Sequence, residues 1–365
     1  MTRDRSLDAL RGVCVASMLL GHLAVGSVAS RSAHLPLLLD GSSGFLALSG
    51  FLLGWRRSLL ADEERIRNFN GRLLRRAALL YALHVAMVWA LVAAERAGIR
   101  VPALGDAPAS AGTRRMLAAA CTFQLRPLHL TVLPLFIVCL PVGAAWSVAF
   151  ARWGARATGV LAAASLAVYG WASVRPPGWI PSLDAAGAHS MFRILNWQAV
   201  FVLALACGAA RGRFAPGTAP GAVVRWVAWP AAIALLIGSQ SLRPSIATLW
   251  GRPPGWMVDA WFDRPVHAPG RLFYLAALAP VAYAAAERWL PERARLARTL
   301  EALGRHALPI YILHLPLIPL AAPALRTGYG RELAGLSVLA ALLGLGWRAS
   351  SRDRGTPPAG RIGTE

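Results

Sequence analysis

The sequence predicts an all-α, polytopic membrane bundle of about ten transmembrane helices with both termini cytoplasmic. Three observations carry that expectation. Apolar residues make up 56% of the chain and charged residues 15%, against about 25% charged in ordinary soluble domains. The apolar residues come in long blocks with almost no acid inside them, and about 20 such residues cross the bilayer core. The 38 basic residues, all of them arginine, gather in the short connections between blocks, the bias that orients membrane helices.

Ten spans follow in order: 10–30, 43–60, 74–94, 129–150, 156–174, 195–211, 222–240, 271–290, 306–325 and 331–347. The fifth is alanine-rich, and the sixth and tenth are short. Pro134, Pro141, Pro230, Pro280, Pro309, Pro316 and Pro319 fall inside spans and read as kinks, because neighbouring groups in lipid satisfy the carbonyls they free. The ninth span holds three of them and is expected to be bent or broken.

With the N-terminus inside, the cytoplasmic segments are 1–11, 56–76, 151–156, 211–225, 288–305 and the tail from 348, holding 24 of the 38 arginines. The loop RRSLLADEERIRNFNGRLLRR, 56–76, dominates that bias. The outer connections 95–128, 175–194 and 241–270 are rich in Pro, Gly and Trp. They carry PPGW twice, at 176–179 and 253–256, read as turns with interfacial tryptophans. Residues 1–347 are thus expected to form a single transmembrane domain, and the polar tail 348–365 to be disordered. Arg3 and Arg5 ahead of an apolar run imitate a signal peptide, but no small-residue cleavage site follows, so the first helix is read as retained.

The net charge of +21 is spread along these connections. A nucleic-acid binder would collect its arginines on one polar domain; here they read as a topology signal beside anionic membrane lipid, with no nucleic-acid partner. Cys14, Cys121, Cys139 and Cys207 lack CxxC spacing, so neither a metal site nor a disulfide framework is expected.

The first span poses a chemical question. LDALRGVCVASMLLGHL, 7–23, carries Arg11 at one end and His22 eleven positions later. An arginine at a helix centre in lipid costs ~2.5–3.5 kcal/mol on insertion scales. Eleven residues bring a helix about 20° past three full turns, so both side chains share one face, roughly 16 Å apart. In a span of 10–30, Arg11 lies at the cytoplasmic surface and His22 near the membrane's middle. Asp8, one turn earlier, is placed to hold Arg11 by an i,i+3 contact. Singly, Arg11 reads as a topology anchor and His22 as a buried histidine on a carbonyl. Together on one stripe, with the polar SG pair of the next span, they outline a groove.

The blocks around them have a familiar order. RDRSLDALRG…GHL is followed by GFLALSGFLLG (44–54), RRAALLYALHV (75–85), LTVLPLFIV (130–138), NWQAVFVLALACG (196–208) and LGRHALPIYILHL (303–315). This resembles the membrane acyltransferase-3 superfamily, and within it the OpgC family, which succinylates osmoregulated periplasmic glucans. The resemblance implies a multi-pass enzyme of the inner membrane. Such an enzyme moves an acyl group, succinyl or acetyl, from cytoplasmic acyl-CoA to a hydroxyl of an extracytoplasmic glycan. By position it makes Arg11 and His22 the functional pair, and Arg75 and Arg76 the basic start of the third helix. Acyl-CoA is then a co-substrate, and no permanently bound cofactor is expected.

The residue types suit that chemistry. A thioester is already activated, so what remains is a base for the acceptor hydroxyl, a polarised carbonyl and cations for the CoA phosphates. Low dielectric disfavours an imidazolium, and a neutral ring is what a general base requires. Arg75 and Arg76, with Arg11, offer bidentate grips on phosphate. Arg305 and His306, at the start of the ninth span, add to the donor site, and His314 lies deeper in the same cavity.

Other polar residues read two ways. Ser49 in LSGF is a nucleophile for an acyl-enzyme or, the favoured reading, a close-packing site. His84 lines the cavity or bonds between helices. Gln198 donates to an oxyanion or, by preference, glues two helices. The chain departs from the family's pattern at Ser43 and Thr131, where acids are common, at Phe136, where tyrosine is, and at FRILNWQ, where Asn-Pro precedes Trp-Gln. Those departures leave the acyl group and acceptor open. The rival class is a transporter or channel without acyl transfer. Coupled carriers place Asp or Glu at mid-membrane, whereas the 17 acids here fall in loops, tails and helix ends.

Overall fold

The computed structural model describes residues 4–33, 40–99, 112–125, 127, 130–174, 193–214, 226–227, 229–234, 267–289, 295–315, 317–318, 325 and 327–355. Regular structure among them is entirely helical. In chain order the helices are α1 (Arg5–Leu23), α2 (Val28–Ala33), α3 (Gly41–Ser58), α4 (Glu63–Arg96), α5 (Thr113–Cys121), α6 (Val132–Trp153), α7 (Ala155–Ser173), α8 (Ile194–Ala209), α9 (Pro269–Trp289), α10 (Arg295–Arg305), α11 (Ala307–His314) and α12 (Gly328–Gly355). Most of the expected seventh span, the outer connections 175–194 up to residue 192 and 241–270 up to residue 266, both PPGW turns, and the tail past residue 355 lie outside the described residues.

Several boundaries differ from expectation for local reasons. Helix α1 starts five residues before the expected span, because Asp4 caps it: its Oδ1 accepts from the Leu7 N–H at 3.1 Å, and Asp8 adds an acid to the first turn. It ends at Leu23, ahead of a turn in which Gly26 has φ +82°. His22 therefore stands in the last turn of α1 rather than midway along a span. The arginine-rich loop 56–76 is largely helix: Asp62 caps α4 through the Glu64 N–H at 3.2 Å, and Glu63 and Glu64 fill its first turn. At 34 residues, α4 is about 51 Å long and outruns a hydrocarbon core of roughly 30 Å. Within the expected ninth span α11 ends at His314, and residues 316 and 319–324 lie outside the described residues. The connection before it forms a separate helix, α10, and α12 runs on to Gly355, into the polar tail.

Three helices among the described residues, α1, α4 and α6, are long and apolar enough to cross a membrane. Apolar side chains stand on outward helix faces as well as in the core. Val160, Leu166, Val168 and Trp171 of α7 are exposed, as are Leu74, Leu79 and Trp89 of α4, while Asp8, His84, Thr131, Asn196 and His314 are buried. A helical protein that presents apolar side chains outward and holds polar ones within is a membrane protein.

The described chain forms two compact units: 1–45 with 225–240 and 275–365, and 46–224 with 241–274. In the first, α1 packs on α10 with their backbones in contact. A Cβ on Gly12 would overlap the Leu300 carbonyl, and one on Gly304 the Asp8 carbonyl. Arg5 Nε adds a link to Glu301 at 3.0 Å, and Tyr283 donates to Asp4 at 2.9 Å. Glu332 of α12 accepts from the Val28 N–H at the start of α2. In the second unit, α4 packs on α6, and α7 on α8. A Cβ on Gly50 or Gly54 of α3 would strike the carbonyl of Phe201 or Leu205 on α8, and one on Gly208 the Phe51 carbonyl. The Ser-Gly step at 49–50 thus lies at a close-packed helix crossing.

Substituting Gly12→Val should destabilise the purified protein by roughly 1–3 kcal/mol or more, since backbone stands in the way. Gly71 has open space around it, and Gly71→Ala should instead stabilise α4 by about 0.5–1 kcal/mol. Unfolding titrations of the two variants in detergent check the contrast.

Candidate active site

In the first unit α11 climbs beside α1 and brings two histidines together. His22 Nδ1 lies 2.8 Å from His314 Nε2, with the ring centroids 5.1 Å apart and the ring planes within 16° of each other. His22 is half-buried and His314 is 2% exposed. The other nitrogen of His314, Nδ1, meets the backbone carbonyl of Tyr311 in a short hydrogen bond, and the Tyr311 ring stands edge-on to it at 5.2 Å. A local cause is legible. Residue 316 is proline and has no N–H for the Ile312 carbonyl, so the Leu315 N–H serves that carbonyl at 3.3 Å.

The predicted cationic residues of this unit, Arg11, Arg305 and His306, lie toward the other end of the same two-helix seam. The Arg11 guanidinium sits 5.4 Å from the centroid of the Phe45 ring. Arg305 follows Gly304, whose Cα abuts the backbone of Asp8 and Gly12. His306 is exposed at the N-cap of α11. Five predicted residues, Arg11, His22, Arg305, His306 and His314, therefore share α1 and the α10–α11 pair, with His22 and His314 in direct contact. A cavity of about 370 Å³ in this unit is lined by Trp229, Ala284, Ala285, Glu287 and Arg288, none of them a predicted site residue.

The other five predicted residues belong to the second unit. Arg75 is exposed, whereas Arg76 is half-buried, with an Nε that is buried and has no hydrogen-bond partner among the described residues. Ser49 is half-buried beside the packing glycine Gly50. His84 is fully buried, its ring 5.3 Å from that of Phe123. Gln198 ties α8 to α7: its Oε1 accepts from Ser165 Oγ at 2.8 Å, and its Nε2 donates to the Ser165 carbonyl at 2.9 Å.

Three features had not been singled out. Arg57, counted in the cytoplasmic loop, is 2% exposed and stitches α3 to α6, donating from Nε to Ser147 Oγ at 2.7 Å and to the Ser147 carbonyl at 3.0 Å. His267 is buried with φ +47°, its ring 4.5 Å from that of Trp197, and its carbonyl accepts from Tyr169. No periodic pattern marks it. Asp40 was legible: the run DGSSGF (40–45) has the form of a helix cap, and Asp40 Oδ1 accepts from the Ser43 N–H and Oγ at 2.7 and 2.9 Å. The family's acidic position is Ser43 here, yet a carboxylate stands against it.

Apolar surfaces, buried polar side chains and a histidine pair between two helices define the class, a helical membrane protein with a candidate catalytic centre inside the bundle. The family described as OpgC protein matches residues 3–351. The chain belongs to the OpgC family. That membership assigns it an enzymatic role in acyl transfer to extracytoplasmic glycans and a membrane location. No curated protein and no solved structure matches the chain.

A double-mutant cycle on Ser165→Ala and Gln198→Leu should return a coupling of roughly 0.6 kcal/mol, typical of hydrogen bonds between membrane helices. With Gln198 acting as glue, acyl transfer should persist in the folded double variant. Unfolding titrations and an activity assay on the four proteins check both.

Proposed function

We propose that this protein is an inner-membrane O-acyltransferase. In this reading it has ten spans and cytoplasmic termini, residues 1–347 act as one membrane domain, and acyl-CoA donates a succinyl or acetyl group to a glycan hydroxyl outside. The observation that carries the reading is the order of groups along one seam. Arg11 and Arg305 lie toward one end of α1 and the α10–α11 pair, and His22 with His314 at the other. That order matches the two ends of the donor, a polyanionic nucleotide head and a thioester on a long arm. In the first unit Arg11, Arg305 and His306 supply cations for the phosphates, and Arg75 and Arg76 keep the donor-binding role that the family resemblance implies for them. The buried Nε of Arg76, without a hydrogen-bond partner among the described residues, adds support, since an unsatisfied buried donor is costly.

At the far end, His22 acts as general base. It takes the proton of the acceptor hydroxyl as the oxygen attacks the thioester carbonyl. The tetrahedral intermediate collapses, the C–S bond breaks, and the imidazolium returns the proton to the departing CoA sulfur. No acyl-enzyme is needed, and Ser49 remains a packing residue. The position of His22 in the last turn of α1 favours this scheme, because it brings the base toward the acceptor's side of the membrane.

Substituting His22→Ala should lower acyl transfer by about 10²–10⁴-fold, the range for loss of a positioned base, while the protein folds and still binds acyl-CoA. Turnover and donor binding measured on the purified variant check this, and retained transfer would remove His22 from the chemistry. Mass spectrometry of envelope glycans with and without the gene should show one acyl mass disappear. Solute flux across liposomes without acyl turnover would point instead to a transporter.

A further inference from the structure

We infer that His314 is a positioning residue that sets the tautomer of His22, so that Nε2 of His22 is the atom that accepts the proton. The chemical consequence rests on the acyl-transfer reading, but the tautomer itself does not.

The order of protons is set outward from one backbone carbonyl. The Tyr311 oxygen can only accept, so the His314 Nδ1 facing it carries the hydrogen. A neutral imidazole holds one hydrogen, which leaves His314 Nε2 as a lone pair. That lone pair lies 2.8 Å from His22 Nδ1, so the His22 nitrogen must be the donor. His22 in turn has one hydrogen, now committed to Nδ1, and its Nε2 is the unprotonated site. With both rings neutral, these two contacts allow a single assignment, and the chain of donors runs toward His22 Nε2.

Two further features fit a proton acceptor. His22 lies in the last turn of α1, and His314 is the last residue of α11. A helix C-terminus carries roughly half a negative charge, so two of them favour the positive charge that forms when Nε2 is protonated. The near-coplanarity of the rings, 16° apart, and the burial of His314 hold the relay in one orientation. A neutral histidine occupies the place that a carboxylate takes in an Asp-His pair, and it suits a low-dielectric setting where a second buried charge would be costly.

The test uses the full-length protein in lipid bilayers with imidazole-labelled histidine. Nitrogen spectra should show His22, assigned by its disappearance in His22→Ala, protonated at Nδ1 and bare at Nε2. His314→Gln keeps an amide oxygen where Nε2 stands and should preserve that tautomer. His314→Asn keeps a donor toward Tyr311 but offers His22 no acceptor, and should lose it. Turnover should follow: kcat falls about 10²-fold or more in His314→Asn, the donor KM is unchanged, and His314→Gln recovers most of the loss. A wild-type His22 protonated at Nε2, or Gln and Asn variants alike in tautomer and in kcat, would overturn the inference. The expected tautomers in a protein that transfers no acyl group would uphold the relay and overturn the acyl-transfer reading alone.

Discussion

The arrangement of the first unit depends on a backbone-to-backbone contact between α1 and α10. Gly12 faces the Leu300 carbonyl and Gly304 faces the Asp8 carbonyl with no room for a Cβ. Such an approach sets the register of two helices more tightly than interleaved side chains do, because main-chain atoms cannot change rotamer. The spacing then carries the register along the seam. Gly12 and His22 are ten residues apart, and so are Gly304 and His314. On α1 those ten residues rise about 15 Å; after Gly304 the chain leaves α10, which runs antiparallel to α1, and returns toward His22 through the eight residues of α11, a rise of about 12 Å. Two sequence blocks nearly three hundred residues apart are thereby made into one site.

The second constraint is the bilayer itself. Lipid neither pairs with polar groups nor rewards burial of apolar ones, so the fold directs Val160, Leu166 and Trp171 outward and keeps polar side chains for contacts between helices. Gln198 with Ser165, Arg57 with Ser147, and Asn196 with Ser173 at 2.8 Å are each a polar clasp inside the second unit. The histidine pair obeys the same rule in the first unit. What sets it apart is that its chain of donors, traced from the Tyr311 carbonyl, has a direction and ends on a lone pair.

Departures from a family's pattern also look different once the chain is folded. Ser43 stands where an acid is common, but its hydroxyl and N–H both bond the carboxylate of Asp40. The negative charge has moved three residues along the chain while staying at the N-terminus of α3, where the helix dipole favours it. Thr131 and Phe136 are buried at 3% and 6% exposure, so those two departures alter the interior of α6 and its N-terminal end rather than its surface.

The sequence alone determined the helical membrane class, the family, and the shared face of Arg11 and His22, because apolar block length, motif order and helical period are all local properties of the chain. Cap signals were local too, and Asp4, Asp40 and Asp62 mark helix starts that hydropathy misses, since hydropathy follows the apolar stretch and not the polar turn ahead of it. Only the tertiary structure decided which of several polar residues meet. It gave Gln198 to Ser165, buried Arg57 against Ser147, and joined His22 to His314. Such pairings depend on helix register, and register is set by contacts between blocks that no single stretch of sequence contains.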